Sequence, residues 1–289
     1  MADAVRAGGG AVVALSACPD ALVWLAPGDV TGLRDAVRST PSAGWVQLPF
    51  AGVEDVAEVL DPARTWTCAK GAYAEPTAEH ALALALAGLR QLPSRATTVS
   101  WGEQAATTLY DAPVVVLGAG GITASLLSLL DPFRCEVTVV RRSLEPVDGA
   151  ARTVALDRLD DVLPGALVVI VALALTPATT HVIGARQLAA MSPWAWLVNV
   201  GRGRHVDTGA LVEALGSGTI GGAALDVTDP EPLPNGHPLW DLPNCLITPH
   251  TANPWETAQP LLAQRITDNV RRFGRGEPLL GLVDVEAGY

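Results

Sequence analysis

The stretch VVVLGAGGIT, residues 114–123, decides the fold class of this chain. An apolar run that fits a buried strand turns on glycines into a helical pattern, which lets backbone N–H groups approach a pyrophosphate at a helix N-terminus. Thr123 stands where the usual GxGxxG pattern has its third glycine, so helix and strand must pack closely here by other means. The residues assigned to dinucleotide binding are Gly118, Gly120, Gly121 and Ile122.

Short apolar runs alternate with helical patterns around and after this loop. They are PVVVLG (113–118), EVTVV (136–140), ALVVIVA (166–172), AWLVNV (195–200), GGAALDV (221–227) and CLIT (245–248). Continuous apolar strands between helices are typical of a parallel sheet that is covered on both faces. The sequence therefore predicts a doubly wound α/β domain of the Rossmann type.

The two chain ends predict a second, smaller α/β domain of the flavodoxin type. Its strands are expected at AVVALSA (11–17), DALVWL (20–25) and GWVQLP (44–49), with no room for a helix between the first two. Helical patterns at 77–93 and 256–276 flank the large domain. The predicted domains are a small substrate domain of residues 1–92 plus 257–289, and an inserted dinucleotide-binding domain of residues 93–256.

Composition limits the partners of the protein. A formal charge of −11 over 289 residues argues against nucleic acid and anionic lipid surfaces, which attract an excess of Lys and Arg. The longest apolar run, residues 166–175, is far shorter than the ~20 residues that cross a bilayer. The four cysteines are scattered without metal-ligand spacing, so we expect a cytoplasmic protein with reduced cysteines and no metal site.

The stretch VTVVRRS, residues 137–143, indicates which of NAD(H) and NADP(H) the predicted site prefers. It ends the second strand after the glycine loop, where an NAD site would carry an acidic residue for the ribose hydroxyls. Arg141 and Arg142 can instead grip a 2′-phosphate through their guanidinium groups, with the Ser143 hydroxyl as a further donor. This predicts NADP(H) as the preferred cofactor, with NAD(H) possible; the alternative is a solvated basic turn.

Three further segments carry reactive groups. They are VNVGRGRHVD (198–207), ALDVTDPEPLP (224–234) and LITPHTA (246–252). Together with the glycine loop they resemble the D-isomer-specific 2-hydroxyacid dehydrogenases, which include glyoxylate/hydroxypyruvate reductases. The resemblance extends to a substrate loop at FAGVEDV (50–56), an interdomain helix at AEHALAL (78–84) and a cofactor-side loop and helix at 175–191.

The resemblance implies three catalytic residues, Arg202, Glu231 and His250. Reduction of a 2-oxo acid needs a cation to hold the carboxylate and polarise the carbonyl, which suits Arg202. It also needs an acid to protonate the carbonyl oxygen as hydride reaches the carbon, which suits His250. Glu231 would orient the imidazole of His250 and raise its pKa. Arg202 and His250 therefore also count as substrate-binding residues.

Other roles are carried over in the same way. Asp226 would hold the nicotinamide carboxamide, and Thr176 and Pro177 belong to the cofactor-side loop. The backbone N–H groups around Ala51, Gly52 and Val53 would bind the substrate carboxylate. Of the other histidines, we expect His80 to brace the interdomain helix, and His181, His205 and His237 to be exposed.

The resemblance implies an NAD(P)H-dependent reductase that interconverts small 2-oxo acids and D-2-hydroxy acids, with glyoxylate or hydroxypyruvate as the favoured substrates. It also implies a homodimer formed through the interdomain-helix region. An alternative is a cofactor-sensing binding protein of the corepressor type on the same fold, because such relatives can retain all three catalytic residues.

Overall fold

The computed structural model describes all residues, Met1–Tyr289. The helices are α1 (Ala2–Ala7), α2 (Val30–Ser39), α3 (Ala74–Leu89), α4 (Leu92–Ala96), α5 (Gly121–Leu130), α6 (Leu159–Val162), α7 (Ala185–Ala190), α8 (Thr208–Gly216) and α9 (Trp255–Arg275). The strands are β1 (Ala21–Val23), β2 (Trp45–Gln47), β3 (Thr65–Thr67), β4 (Pro113–Leu117), β5 (Glu136–Arg141), β6 (Arg152–Ala155), β7 (Val168–Val171), β8 (Trp196–Asn199), β9 (Gly222–Leu225) and β10 (Cys245–Ile247). None of the helices combines the length and apolar character needed to cross a membrane.

The chain divides into two compact units. The smaller unit contains Met1–Tyr73 and Pro254–Tyr289, and the larger unit contains Ala74–Asn253. The boundaries therefore fall at 73/74 and 253/254, whereas the sequence placed them at 92/93 and 256/257. The largest difference concerns α3, which packs against α5 and the strands β8 and β9 and so belongs to the larger unit.

The larger unit contains a seven-stranded, fully parallel sheet in the order β10-β9-β8-β7-β4-β5-β6. The chain enters at β4, moves outward to β5 and β6, and returns to the other side of β4 at β7. Open sheets of this kind bind ligands beyond the carboxyl ends of their strands, at the point where the strand order reverses. The predicted doubly wound fold is confirmed, and the reversal lies between β4 and β7.

Both faces of the central strands are buried, which explains their uninterrupted apolar sequences. Along β4, Val115 and Leu117 belong to one core cluster, while Val114 and Val116 belong to the cluster on the other side. This alternation follows from the two-residue repeat of a strand. The second cluster includes α3 and α5, and α3 approaches β8 closely at Gly88, where an added Cβ would lie 2.3 Å from the ring of Trp196.

Thr123 replaces the third glycine of the loop without opening the packing. Its side chain is buried, and its hydroxyl donates a 2.9 Å hydrogen bond to the carbonyl oxygen of Gly118. Gly118 itself has φ +114°, and a Cβ there would lie 2.4 Å from the carbonyl oxygen of Ala172. The turn therefore requires glycine at 118, while the threonine closes the loop onto the helix through its side chain.

The smaller unit contains a three-stranded parallel sheet in the order β1-β2-β3. A buried polar network joins it to the C-terminal segment: Asn269 on α9 donates to Gln47 Oε1 at 2.8 Å and to the Leu280 carbonyl at 2.9 Å. The Leu280 N–H donates back to Asn269 Oδ1 at 2.8 Å. One side chain of α9 thus connects β2 with the chain terminus.

The predicted first strand at 11–17 is wrong. This segment lacks strand structure, ends in a 3₁₀ turn at Leu15–Ala17, and leaves Val12 and Val13 half exposed. The sheet begins at β1, whose only partner is β2. A short apolar run predicts a strand only where a neighbouring strand completes its hydrogen bonds, and residues 11–17 have no such neighbour. A helix, α1, precedes this segment instead.

Candidate active site

The predicted site residues of the larger unit come from six strands of its sheet. Each follows, or closes, the carboxyl end of a strand: Gly118 after β4, Arg141 at the end of β5, Thr176 after β7, Arg202 after β8, Asp226 after β9 and His250 after β10. Because all strands are parallel, these six positions share one edge of the sheet. The larger unit therefore gathers sequence-distant polar groups along that edge.

His250 and Glu231 form a close pair. The Nδ1 atom of His250 lies 2.6 Å from Oε1 of Glu231, while the N–H of Thr228 donates to the other carboxylate oxygen at 3.2 Å. The carboxylate accepts, so Nδ1 carries the proton and Nε2 is the nitrogen left to exchange a proton with a ligand. The two side chains are 53% and 40% exposed, so this pair is open to solvent.

Electrostatics within this pair favour its charged form. The hydrogen bond that His250 donates to Glu231 raises the pKa of His250 above its ordinary value, against an opposing effect of burial. The same hydrogen bond lowers the pKa of Glu231. The positive charge of Arg202 acts on both groups, since it lowers the pKa of Glu231 further and opposes the rise at His250. The structure thus brings the three predicted catalytic residues into one electrostatic group.

The loop that carries Arg202 is held by neighbouring groups. Asn199 donates from Nδ2 to the Arg202 carbonyl at 2.9 Å, and the Arg202 N–H donates to Nδ1 of His205 at 3.0 Å. A Cβ at Gly203 would lie 1.9 Å from the carbonyl oxygen of Thr228, so only glycine permits this approach. His205 was expected to be exposed, but it is fully buried and its Nδ1 accepts the hydrogen bond from this loop.

Asp226 is almost completely buried, at 2% exposure. The hydroxyl of Thr248 donates to its Oδ1 at 2.6 Å, the N–H of Thr251 donates to Oδ1 at 2.8 Å, and the N–H of Ala252 donates to Oδ2 at 3.0 Å. Nε2 of His80 lies 3.2 Å from Oδ1. Burial alone raises the pKa of Asp226, but these hydrogen bonds outweigh it and bring the pKa to about 2. The group is therefore a carboxylate at neutral pH, and its role toward nicotinamide stays a prediction.

The backbone at His250 adopts an unusual conformation. Its φ is +51°, a left-handed region that costs an ordinary residue roughly 1–2 kcal/mol. Two hydrogen bonds hold this turn, because the His250 N–H donates to the carbonyls of Asp226 and Thr248, each at 2.9 Å. Together with the bonds from Thr251 and Ala252 to the Asp226 side chain, they fix the residues on both sides of the imidazole.

The part of the edge that was predicted to bind the cofactor is built from α5 and the end of β5. Because α5 begins at Gly121, the N–H groups of Gly121 and Ile122 lie in its first turn and have no acceptor within the helix. A Cβ built on Gly120 meets nothing within 4 Å, which leaves room for a ligand. Thr176, across the sheet reversal, donates its N–H to Thr179 Oγ1 at 2.8 Å, which shapes the loop that continues into Pro177.

The end of β5 and the turn after it (the arginine turn, residues 141–143) carry donor side chains that are open to a ligand. Arg141 contacts Glu145 at 3.3 Å and 3.5 Å, at the long limit of hydrogen bonding, and Arg142 is exposed. The hydroxyl of Ser143 is buried and has no hydrogen-bond partner. A buried hydroxyl without a partner is uncommon and calls for a ligand or water. These residues therefore fit a phosphate group, which accepts from guanidinium and hydroxyl donors alike.

In the smaller unit, the predicted substrate loop precedes a 3₁₀ helix at Glu54–Val59. No hydrogen bond within the chain uses the N–H groups of Ala51, Gly52 or Val53. The loop is held by other groups: Sγ of Cys68 donates to the Ala51 carbonyl at 3.2 Å. Three neighbouring N–H groups without internal acceptors can bind an anion.

Several neighbours of the site were missed at the level of sequence. Thr248 lies in the quoted segment LITPHTA, but only the histidine of that segment was given a role. Thr228, whose N–H binds Glu231, carries no sequence signal because its contact is made by the backbone. His80 was expected only to brace a helix, and its contact with Asp226 spans elements far apart in sequence. Across the whole chain, no group of three or more His, Cys, Asp and Glu side chains is placed to hold a metal ion.

The family comparison identifies the class of protein. Residues 81–252 match the family described as "D-isomer specific 2-hydroxyacid dehydrogenase, NAD binding domain". This segment covers more than half of the chain and nearly the whole of the larger unit. The chain therefore belongs to the D-isomer-specific 2-hydroxyacid dehydrogenase family, whose nucleotide-binding domain binds NAD-type cofactors, as the motifs indicated.

Individual relatives agree with this assignment. The chain is 42% identical over 253 residues to an uncharacterized protein of the proB 3′ region of Corynebacterium melassecola, covering 85% of this chain and 83% of the relative. It is 31% identical over 214 residues to a glyoxylate/hydroxypyruvate reductase A of Photorhabdus laumondii, covering 73% of this chain and 68% of the relative.

Two solved structures extend the likeness over the whole chain. One is a D-isomer specific 2-hydroxyacid dehydrogenase of Xanthobacter autotrophicus in complex with NADPH and MES. It has a TM-score of 0.85 and 30% identity, and the match covers 99% of this chain and 94% of that one. The other is an NADPH-dependent glyoxylate/hydroxypyruvate reductase of Sinorhizobium meliloti in complex with NADP and sulfate. It has a TM-score of 0.83 and 26% identity, and the match covers 100% and 96%.

Proposed function

We propose that this protein is an NADPH-preferring reductase that converts small 2-oxo acids into D-2-hydroxy acids. The observation that carries this proposal is the pairing of His250 with Glu231 at 2.6 Å, under the positive charge of Arg202, at the carboxyl edge of a nucleotide-binding sheet. A protonated imidazole beside a guanidinium provides the acid and the cation that carbonyl reduction requires.

Each residue then has a distinct task. The bound nicotinamide cofactor supplies the hydride. Arg202 binds the substrate carboxylate and polarises the adjacent carbonyl. As the C–H bond forms and the carbonyl π bond breaks, His250 gives its Nε2 proton to the oxygen, which becomes the hydroxyl of the product. Glu231 keeps the imidazole oriented and protonated through Nδ1. Asp226 holds the backbone that carries His250, and we retain its predicted contact with the nicotinamide carboxamide.

The two units divide the binding work. We propose that the larger unit holds the dinucleotide through Gly118–Ile122 and the loop at Thr176 and Pro177. The preference for NADPH rests on Arg141, Arg142 and Ser143, and the unpartnered hydroxyl of Ser143 supports it. The smaller unit would bind the substrate carboxylate through the free N–H groups of residues 51–53. The NADPH and NADP complexes of the two solved relatives support the same cofactor.

Glyoxylate and hydroxypyruvate are the favoured substrates, because relatives at 31% and 26% identity are named as reductases of these acids. The test is the oxidation of NADPH or NADH by purified protein, followed by absorbance, with these two acids and a series of larger 2-oxo acids. We expect turnover with a lower KM for NADPH than for NADH. Tight NADPH binding without turnover on any 2-oxo acid would refute the proposal and favour the alternative, a cofactor-sensing binding protein. The names of the relatives do not favour that alternative.

We further propose a homodimer and a cytoplasmic location. The dimer is supported by the segment after α4, where Val99 and Trp101 are almost fully exposed although both are apolar. The location rests on the scattered cysteines of the sequence. Light scattering of the wild-type protein should give twice the mass of the chain, and Trp101→Ser should lower it. A single-chain mass for the wild type would exclude the dimer.

A further inference from the structure

One partly buried imidazole has contacts that the proposed reaction does not use directly. His80 lies on α3, and its Nε2 atom is 3.0 Å from the hydroxyl of Thr248 and 3.2 Å from Oδ1 of Asp226. A single nitrogen thus contacts both members of a hydrogen bond, since the Thr248 hydroxyl donates to the same Asp226 oxygen at 2.6 Å. His80 therefore completes a compact triangle of polar atoms directly behind the turn that carries His250.

The direction of these bonds follows from the chemistry of the partners. Asp226 is ionised and can only accept, and the Thr248 proton is already given to Asp226. The lone pairs of the Thr248 oxygen are then its remaining capacity, so it accepts from His80. Nε2 of His80 must therefore carry a proton, which is shared between the hydroxyl and the carboxylate.

The Asp226 carboxylate controls the orientation of the turn. It accepts the N–H groups of Thr251 and Ala252, and the Asp226 carbonyl accepts the N–H of His250. All three donors belong to consecutive residues of a turn with a left-handed residue at 250. A rotation of the carboxylate would loosen two of the three bonds and let the imidazole move away from Glu231. Whatever prevents that rotation also determines where the acid group points.

Docking of α3 does not need the imidazole. The helix is held by buried apolar side chains of the second core cluster, including Ala78, Ala81, Leu84 and Ala85. These groups remove α3 from water without any contribution from His80, whose side chain is about one-fifth exposed. The contact of His80 with Thr248 and Asp226 is therefore not needed to pack α3, and it connects His80 to residues of the candidate active site.

We propose that His80 is a positioning residue of the acid/base site, which holds Asp226 and Thr248 in the arrangement that fixes the His250 turn. This inference rests on the proposed role of His250 as the acid. In this proposal, His80 connects α3 with the carboxyl edge of the sheet where His250 lies. Thr248 helps to position the same turn.

The test compares three variants with the wild type. His80→Leu removes the donor and keeps an apolar side chain, while His80→Gln keeps an N–H donor with similar reach. His237→Asn is the matched control, because it replaces a histidine outside the site and retains a side chain that can cap the following turn. We expect His80→Leu to lower kcat about 10- to 100-fold, the size of effect that a small misplacement of a reacting group produces. The KM for NADPH should change little, His80→Gln should recover most of kcat, and His237→Asn should match the wild type.

A second measurement does not depend on turnover. Hydrogen exchange of the Thr251 and Ala252 amides should accelerate in His80→Leu, while amides of β4 and β5 keep their protection. Thr248→Val removes the hydroxyl that contacts both His80 and Asp226. In a double variant its effect on kcat should not add to that of His80→Leu, because both changes disrupt the same arrangement. If His80→Leu leaves both kcat and the two amides as in the wild type, the inference is wrong while the proposed function stands. If the wild type reduces no 2-oxo acid, the proposed function fails, and the amide exchange alone still decides whether His80 holds the turn.

Discussion

The two ends of the carboxyl edge of the large sheet differ in how far their polar groups are satisfied. At the β9 and β10 end, Asp226 and Glu231 accept hydrogen bonds from several neighbours, and His250 is paired. At the β5 end, Ser143 has a buried hydroxyl without a partner and Arg141 has only long contacts. The polar groups of the first end are already hydrogen-bonded to one another, whereas the second end keeps a buried hydroxyl that no group of the chain satisfies. Under the proposed function, the first end positions the acid and the second end binds the phosphate that distinguishes NADPH from NADH.

The largest expected effect is at the β9 and β10 end. His250→Gln should lower turnover by roughly 10²–10⁴-fold, the usual worth of a positioned general acid. NADPH binding, measured by fluorescence titration, should stay close to that of the wild type, because the arginine turn lies at the other end. The control is His237→Asn. Near-normal turnover in His250→Gln would show that His250 is not the acid. The β9 and β10 end would then not be the acid/base site that distinguishes it from the β5 end.

The next effect is at the β5 end. Arg141→Asp combined with Arg142→Ser should raise the KM for NADPH by at least about tenfold, since each charge-assisted hydrogen bond contributes roughly 1.5–3 kcal/mol. The KM for NADH should be spared, because NADH has no 2′-phosphate. Arg158→Ser, which removes an exposed arginine after β6, should change neither value. Equal changes for NADPH and NADH would show that the arginine turn does not contact the phosphate.

The pair of Glu231 and His250 predicts a pH dependence of turnover. The carboxylate raises the pKa of His250, so reduction, which needs the protonated ring, should decline only as the pH rises through that raised value. In Glu231→Gln the pKa of His250 should fall, which moves this decline to lower pH and lowers turnover at neutral pH by about tenfold. A pH profile of kcat for both proteins checks this. An unchanged profile would mean that Glu231 does not set the protonation of the acid.

Ser143→Ala tests whether the buried hydroxyl at the β5 end serves NADPH binding or the stability of the fold. Removal of a buried hydroxyl without a partner should leave the free energy of unfolding of the ligand-free protein unchanged or slightly higher. The same change should weaken NADPH binding roughly fivefold, the worth of one ordinary hydrogen bond. Thermal unfolding with and without NADPH measures both quantities together. A loss of stability without ligand, with unaltered NADPH affinity, would show that the hydroxyl serves the fold.

The smallest effect concerns stability. The raised pKa of His250 contributes stability that is present below its unfolded pKa and lost as the pH rises through the folded value. The lowered pKa of Glu231 contributes stability that is present above its unfolded value and lost as the pH falls. The pair therefore stabilises the fold in the mildly acidic range between these limits. Because both groups are partly exposed, we expect less than about 1 kcal/mol, measured by urea unfolding against Glu231→Gln.

Much of the larger unit could be predicted from sequence, since strands buried on both faces have continuous apolar runs that need no partner to be recognised. The edge strand β6, Arg152–Ala155, was missed because it is short and only partly buried. In the smaller unit β3 was missed for its length, and residues 11–17 were wrongly predicted as a strand because apolar composition does not show whether a neighbour exists.

Individual site residues could be predicted, but their connections could not. Motif positions located Arg202, Glu231 and His250, because each follows a recognisable strand. His80 and Thr248 are 168 residues apart in the sequence. No periodic sequence pattern can predict a contact between residues so far apart. The burial of His205 was missed for a related reason: its partner is a backbone N–H of the Arg202 loop, which the residue type does not reveal.

The division of the chain also has a consequence for synthesis on the ribosome. The larger unit is one continuous segment, whereas the smaller unit needs residues from both ends, and Asn269 of α9 joins β2 to the terminal segment. Residues 1–73 emerge first, yet their unit lacks α9 until translation has passed the whole of the larger unit. A nascent chain that stops before Pro254 therefore contains every strand of the large sheet but lacks α9. Apolar residues of the smaller unit that pack on α9, such as Ala4 and Ala69, then stay exposed to chaperones.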